Sequence, residues 1–358
     1  HLFLGSRHAL SLLCLPPMRR RSRRSLRRIS GGLLLLPAPA CCSVSLQRAQ
    51  TRACDAGAAG GSLGGALAVL CSGAAYEVVW ALGLSLLGEH AFLRLARASR
   101  RLEVRLGGRP HIIWHDSRDE AALEVVREHV ADTYGLQELC RDLGPADWVL
   151  DFGGHIGMVA MLVQTLAPAA PVLTIEPSPW NYILLRLNLV QNGHGRVVAL
   201  RGLVGKTDGS EEGIHTTAGS WGGGSFRDMT SPSRGVAYNV SRISLPSIVR
   251  GYGIERIAVM KLDCEGCEWN VGPEWLRTGV FAKIWRMVGE FHMFNRFVCE
   301  LKLQGFPFPK TTAWPNGGKC YPEDMTYEEA VRIWSIFCKT EGYALSGCDS
   351  HYPDVFRA

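Results

Sequence analysis

Nothing in this sequence of 358 residues repeats, which removes solenoid and propeller architectures. Nor does any apolar stretch cross the length of a bilayer without interruption. The closest, Ala66 to Leu87, carries Glu77 in its middle and is diluted by Ser72, Gly73 and Gly83. A charge at the bilayer centre costs about 2.5–3.5 kcal/mol, so this stretch is expected to be a peripheral or packing helix, with membrane association the lesser reading. Acids are missing before Asp55, while ten arginines fall between Arg7 and Arg52. Those ten exceed the formal net charge of +6, so the remainder of the chain is net acidic and no general nucleic-acid surface is expected on it. The 12 cysteines lack the dense, even spacing of a small secreted scaffold, and mostly reduced thiols are expected. Cys264 and Cys267 form a CxxC, but there is no second pair at zinc spacing and no thioredoxin-like opening of a helix, so neither zinc nor redox chemistry is read from them.

What is present begins with a leader. The sequence opens on His1, and Met18 offers a start. From Met18 the segment MRRRSRRSLRRISGGLLLLPAPACC is Arg-rich, Ser-containing and acid-free, as in organellar transit peptides. A short Leu run and the small residues Ala38 to Ala40 also fit a secretory signal, the alternative. Residues 1–65 thus read as leader and linker, 66–108 as a helical extension, and 109–358 as one α/β domain with an irregular Pro-rich insertion at 306–325.

Strand and helix patterns alternate through that domain. Strands are expected at Ile112 to Trp114, Trp148 to Asp151, Pro171 to Ile175, Val197 to Leu200, Ile257 to Leu262, Ile284 to Phe291 and Tyr343 to Leu345. Helices are expected at Glu120 to Thr133, Met158 to Leu166, Pro179 to Gln191, Leu245 to Arg250, around Trp275, Phe294 to Gln304 and Thr326 to Lys339. Lys206 to Gly213 reads as a polar turn and Ser220 to Ser225 as a loop. The alternation implies a doubly wound, mostly parallel sheet with helices on both faces.

Three constellations carry chemistry. In WVLDFGGHIG, Asp151, Gly153, Gly154 and Gly157 close a strand and open a helix, and Glu176 ends the next strand about 20 residues on, where an acid accepts ribose hydroxyls. The GxGxxG of the NAD fingerprint is absent. In VMKLDCEGCE, a buried strand delivers Lys261, Asp263, Glu265 and Glu268 to the carboxyl edge of the sheet, and clustered acids there need a cation, a lysine or a substrate hydroxyl among them. In GEFH, Glu290 and His292 end a further strand, and His292 has the ordinary pKa of a general base. A structural histidine is the competing reading. The sequon Asn239 to Ser241 has meaning only on the secretory path.

DFGGHIG, TIEPSPWNYILLRLNL, VMKLDCEGCEWNV and VGEFH, in this order and spacing, resemble the motifs of the FkbM family of S-adenosylmethionine-dependent methyltransferases over about Arg109 to His292. The resemblance implies a class I methyltransferase (Rossmann-like) fold, S-adenosylmethionine as cofactor, and O-methylation of a small molecule or glycan. It assigns Asp151, Gly153 and Gly157 to the methionine side of the cofactor and Glu176 to the ribose. Asn181 matches the polar residue after the EPxP turn. Lys261, Asp263, Glu265 and Glu268 match the block near the transferred methyl, with Glu290 and His292 beside it. Gly154 and His155 depart from the family's usual Ala and Asn, and Gly272 and Pro273 put the start of the helix after the acidic block in doubt.

Asp263, Glu265 and His292 are then the candidate bases. The asparagine-proline motif of adenine N-methylation is missing where LDCE stands, which favours oxygen. A divalent metal on Asp263 and Glu265 suits oxygen-ligand chemistry, but no spacing demands it. The competing classes are a nucleotide-dependent oxidoreductase on the same glycine turn and a non-catalytic member of the fold. Neither the acceptor nor the oligomeric state is written in the residues.

Overall fold

A computed structural model describes residues 74–119, 121–215, 224–225, 236–264, 267–291, 327–346 and 348. The expected leader at 1–65, the helix at Phe294 to Gln304, the insertion at 306–325, most of the loop from Ser220, and Glu265 and His292 lie outside the described residues.

Two helices, α1 (Ala74–Leu87) and α2 (Glu89–Ala98), lead into a hairpin of β1 (Ser99–Leu106) and β2 (Arg109–Asp116). Helices α3 (Ala122–Val130) and α4 (Leu136–Leu139) follow. Then comes the alternation: β3 (Trp148–Phe152), α5 (Met158–Leu166), β4 (Val172–Glu176), α6 (Pro179–Gln191) and β5 (Val198–Arg201). A second half contains β6 (Leu203–Gly205), β7 (Gly209–His215), β8 (Gly224–Ser225), β9 (Val236–Ser244) and α7 (Leu245–Tyr252). It ends with β10 (Ile257–Leu262), α8 (Cys267–Thr278), β11 (Ile284–Glu290), α9 (Tyr327–Lys339) and β12 (Tyr343–Ser346).

Six strands form one sheet in the order β12-β11-β10-β3-β4-β5, and every pairing in it is parallel. Such a sheet is buried on both faces, which is why its strands read as near-continuous apolar runs. Side-chain alternation divides the core: Val149, Val172, Val259 and Val288 face one cluster, while Leu150, Leu173, Met260 and Met287 face the other. On the first face α1 packs against α6, and Val79, Trp80, Ile183 and Leu187 belong to the same buried cluster. The second face centres on the fully buried Trp275 of α8, whose ring lies 6.1 Å from Phe152, 5.6 Å from Phe281 and 6.2 Å from Phe337. Aromatic pairs of this kind add about 0.5–1.5 kcal/mol each beyond the area they bury.

Asn188 of α6 and Asn192, which caps the end of that helix, complete the free side of β2. Asn188 accepts the Trp114 N–H at 2.7 Å and donates to the carbonyls of Trp114 (3.0 Å) and Ile156 (2.9 Å). Asn192, one turn on, repeats the exchange with Ile112. Spaced four residues apart on one helix face, the two amides satisfy backbone groups that have no neighbouring strand on that side.

Three expectations are corrected. Gly209–His215, expected to lie partly in a turn, is a strand paired antiparallel with β9 along its whole length. Its Gly, Ser and Glu residues are weak strand formers, and pairing with β9 overrides that local preference. The start of α8 is secure, because the helix runs from Cys267 through Pro273. Gly272 leaves room for Ile333 of α9, where a Cβ would approach within 2.8 Å. Among the five described cysteines the expectation of mostly reduced thiols does not hold: Cys264 pairs with Cys267 and Cys338 with Cys348, and Cys140 is free. Among the described residues no helix is long and apolar enough to cross a membrane.

Candidate functional site

From β3 the chain builds the sheet outward through β4 and β5, and from β10 it builds the other way through β11 and β12. The reversal falls between neighbours β3 and β10, where Asp151 stands opposite Lys261. In doubly wound sheets the crevice beyond the carboxyl ends of two such strands is where ligands bind.

The glycine turn lies at this crevice. Gly153 has φ 83°, and a Cβ on it would collide with the Asp263 carbonyl oxygen, so only glycine lets the exits of β3 and β10 lie against each other. Gly154 is in similar contact with Thr174, and Gly157 supplies the left-handed residue that starts α5. The turn's donors point inward. Gly153 and Gly154 N–H donate to the Ile175 carbonyl at 3.2 and 2.8 Å, Gly157 N–H to Gly154 at 2.7 Å, and His155 N–H to Glu176 Oε2 at 2.8 Å. These N–H groups are therefore not presented to a pyrophosphate. His155 is non-glycine at φ 46°, and its ring is fixed by Asp119, 3.2 Å from Nε2.

Acids end three adjacent strands. Glu176, 3% exposed at the end of β4, also accepts the Ser178 N–H at 2.8 Å, and burial pushes its carboxyl up to about 7. Ser178 caps α6, accepting the N–H of the buried Asn181. Beside Glu176 stand Trp180 and Tyr238, ring centroids 6.3 Å apart; burial, then the Glu176 charge, holds the Tyr238 hydroxyl protonated. Asp151 is fully buried; its Oδ2 accepts from Thr174 at 2.7 Å, while Oδ1 has no hydrogen-bond partner and lies 3.9 Å from Lys261 Nζ. Burial raises its pKa against the pull of Lys261.

Lys261 braces the crevice from below. Its ammonium, 3% exposed, donates to the Gly153 carbonyl at 2.9 Å and lies 3.0 Å from Asp263 Oδ2. Burial alone would lower its pKa, but Asp263 and Asp151 outweigh that and the net direction is up, so it stays charged. The partly exposed Asp263 also accepts from Tyr134, whose hydroxyl is 3.3 Å from Oδ2. Burial, then Asp263, keeps Tyr134 protonated and hence a donor. Glu128 belongs to the same rim: burial, then Glu290, raises its pKa, with smaller contributions from Glu124 and Asp263.

The structure thus brings together Asp151, Gly153, Gly154, Glu176, Lys261 and Asp263 at the strand reversal. Gly157 starts α5, Asn181 lies in the first turn of α6 with its N–H on Ser178, and the buried Glu268, in the first turn of α8, accepts the Cys264 N–H at 3.4 Å. Glu265 and His292 lie outside the described residues. Sequence reasoning missed Asp119, Glu128, His129 and Tyr134. They lie in or beside the helix expected over Glu120 to Thr133, and nothing local marks them as site residues. Among the described residues no three His, Cys, Asp or Glu side chains are grouped to hold a metal. The unpartnered Asp151 oxygen, Glu176 at the end of β4 and Asp263 just after β10 suit a ligand bearing positive charge and hydroxyl groups, and repel one bearing a diphosphate.

His129 gives a pH prediction. Its Nδ1 donates to the Val125 carbonyl at 2.6 Å, its buried Nε2 has no partner, and burial, aided by the Lys261 charge, lowers its pKa from 6.5 to about 4. The unfolded chain takes a proton here below about pH 6.5 and the folded chain does not until about 4. The stability this residue contributes is therefore complete above pH 6.5 and is lost as pH falls toward 4, by about 2 kcal/mol between pH 8 and pH 5. Glu176 acts in the opposite sense, its contribution being present below about 4.5 and lost as pH rises through about 7. His129→Asn keeps the donor to Val125 and removes the titration. Urea unfolding at pH 8 and pH 5 is expected to show its acid loss smaller than wild type by about 2 kcal/mol. An unchanged difference would show that His129 titrates normally.

No curated protein matches the chain. A family model described as the methyltransferase FkbM domain matches residues 151–332, from the aspartate at the end of β3 into α9, half of the chain. The matched span contains the glycine turn, Glu176 and the whole acidic block, and the chain belongs to the FkbM methyltransferase family.

Proposed function

We propose that this methyltransferase moves a methyl group from S-adenosylmethionine to a hydroxyl oxygen of a small molecule or glycan. The observation that carries the reading is the unpartnered, buried Asp151 oxygen at the strand reversal, between Glu176 on one side and the Lys261–Asp263 pair on the other. S-adenosylmethionine supplies a methyl activated by a sulfonium, and its cationic, hydroxyl-bearing character matches this ring of acids. Glu176 and Asn181 hold the ribose end. Asp151 and the turn at Gly153, Gly154 and Gly157 hold the methionine end.

On the acceptor side, Asp263 is fixed by Lys261 and Tyr134 so that its carboxylate orients a hydroxyl and takes up its proton. Glu265 and His292 are the further candidate bases. No divalent metal is needed in this scheme, since Lys261 already balances the acids. The oxidoreductase alternative is disfavoured by the inward-turned N–H groups of the glycine turn. Two disulfides support entry into an oxidising compartment over the organellar route, and Asn239 of the NVS sequon is exposed on β9, where a glycan could be attached.

Incubation with methyl-labelled S-adenosylmethionine and a mixed metabolite and glycan extract tests the reading. The expected result is label in a species as a methyl ether. Label on nitrogen, or none above a protein-free control, would overturn it.

A further inference from the structure

Cys264 follows Asp263 directly, and its disulfide partner Cys267 is the first residue of the 12-residue helix α8. We propose that this disulfide is a thiol-exchange site, open to a glutathione-type thiol or a protein dithiol, and that its redox state sets the affinity of the cofactor crevice. The proposal rests on the use of S-adenosylmethionine argued above.

The two sulfurs are not equivalent. Cys264 is partly exposed and Cys267 is fully buried, so a thiolate from solution meets Cys264 first. A bond forms between that thiolate and Cys264 Sγ, the Cys264–Cys267 bond breaks, and Cys267 leaves with the electron pair. Its place at the start of α8 favours the departing thiolate, because the unsatisfied N–H groups of a helix N-terminus stabilise negative charge. A second thiol attacks the mixed disulfide and releases Cys264. In sum, two external thiols are oxidised to one disulfide, the protein pair is reduced by two electrons, and each cysteine sulfur ends with a proton. Glu268 Oε1 lies 3.5 Å from Cys264 Sγ, in place to accept the new S–H, so the reduced form has a partner ready.

The link to the crevice is short. The Asp263 N–H donates to the Phe152 carbonyl at 3.3 Å, the Asp263 carbonyl occupies the space over Gly153, and the Asp263 carboxylate meets Lys261, which in turn holds the Gly153 carbonyl. While the disulfide is closed, Cys264, the residue after Asp263, is tied to the start of α8. Opening it frees Cys264 from the helix and loosens the seat of Asp263 on the glycine turn. The other disulfide joins Cys338 near the end of α9 to Cys348 after β12.

The test equilibrates the intact protein in glutathione buffers of graded potential, then measures S-adenosylmethionine affinity by calorimetry and labels free thiols with iodoacetamide for mass spectrometry. Reduction is expected to label Cys264 while the protein is folded and to weaken affinity by about fivefold or more. The variant C264S/C267S is expected to bind as weakly as the reduced protein and to ignore glutathione. Should that variant fail to fold, C338S/C348S must keep the wild-type response. Equal affinity in both redox states overturns the proposal, as does a glutathione response that survives in C264S/C267S. So does a Cys264 that resists labelling until the protein unfolds. Absence of S-adenosylmethionine binding in every state instead overturns the assigned cofactor, and the labelling order still reads the couple.

Discussion

Lys261→Met is expected to destabilise the protein by about 3–5 kcal/mol, read as a lowered midpoint in denaturant unfolding, and to abolish cofactor binding. Methionine keeps most of the aliphatic stem, so packing is nearly preserved and the effect isolates the ammonium. Without it the fully buried Asp151 and the neighbouring Asp263 lose their shared cation, and the Gly153 carbonyl loses a donor at 2.9 Å. A buried charge left without its partner is the costly half of an ion pair, more costly than exchanging the whole pair for neutral groups. The double variant K261M/D151N should therefore recover part of the loss, since asparagine removes one stranded charge. A change below about 1 kcal/mol for Lys261→Met, the level of an exposed pair, would mean that Lys261 does not brace the crevice.

Gly153→Ala is expected to be nearly as severe, at about 3 kcal/mol or more, with loss of binding. Two effects add. A left-handed alanine costs roughly 1–2 kcal/mol whatever its surroundings. At φ 83° the new methyl also lies on the Asp263 carbonyl oxygen, a backbone atom that cannot swing aside as a flexible side chain would. Gly193→Ala separates the two, because Gly193 has φ 75° with nothing within 4 Å of its Cβ position. It should show only the backbone penalty of roughly 1–2 kcal/mol and leave binding intact. Equal losses at both positions would show that the close seat of Asp263 on the turn contributes nothing.

The parallel sheet was legible because strands buried on both faces must be apolar throughout: VLTIE of β4 and IAVMKL of β10 can hardly be read otherwise. Asp151, Glu176 and Asp263 were legible for the complementary reason, as acids closing such runs. Strand β7 was hidden, since GSEEGIH owes its extension to antiparallel pairing with β9 and not to its own residues. Tyr134 and Asp263 meet across a sequence separation of 129, which no local pattern records. The CxxC showed its spacing but not its oxidation state, because disulfide formation depends on two Cα atoms being held close, here 5.4 Å apart, and the fold decides that. His129 lies within the helix expected over Glu120 to Thr133, and only packing reveals that its Nε2 is buried without a partner.

On the proposed function, the acids at the reversal of β3 and β10 hold S-adenosylmethionine. Calorimetric titration of the oxidised protein with S-adenosylmethionine and, separately, with NAD tests it most directly, with Glu176→Ala as the control. Saturable binding of S-adenosylmethionine, none of NAD, and a marked loss of affinity in the variant are expected. Binding of NAD, or an affinity for S-adenosylmethionine unchanged by Glu176→Ala, would contradict it.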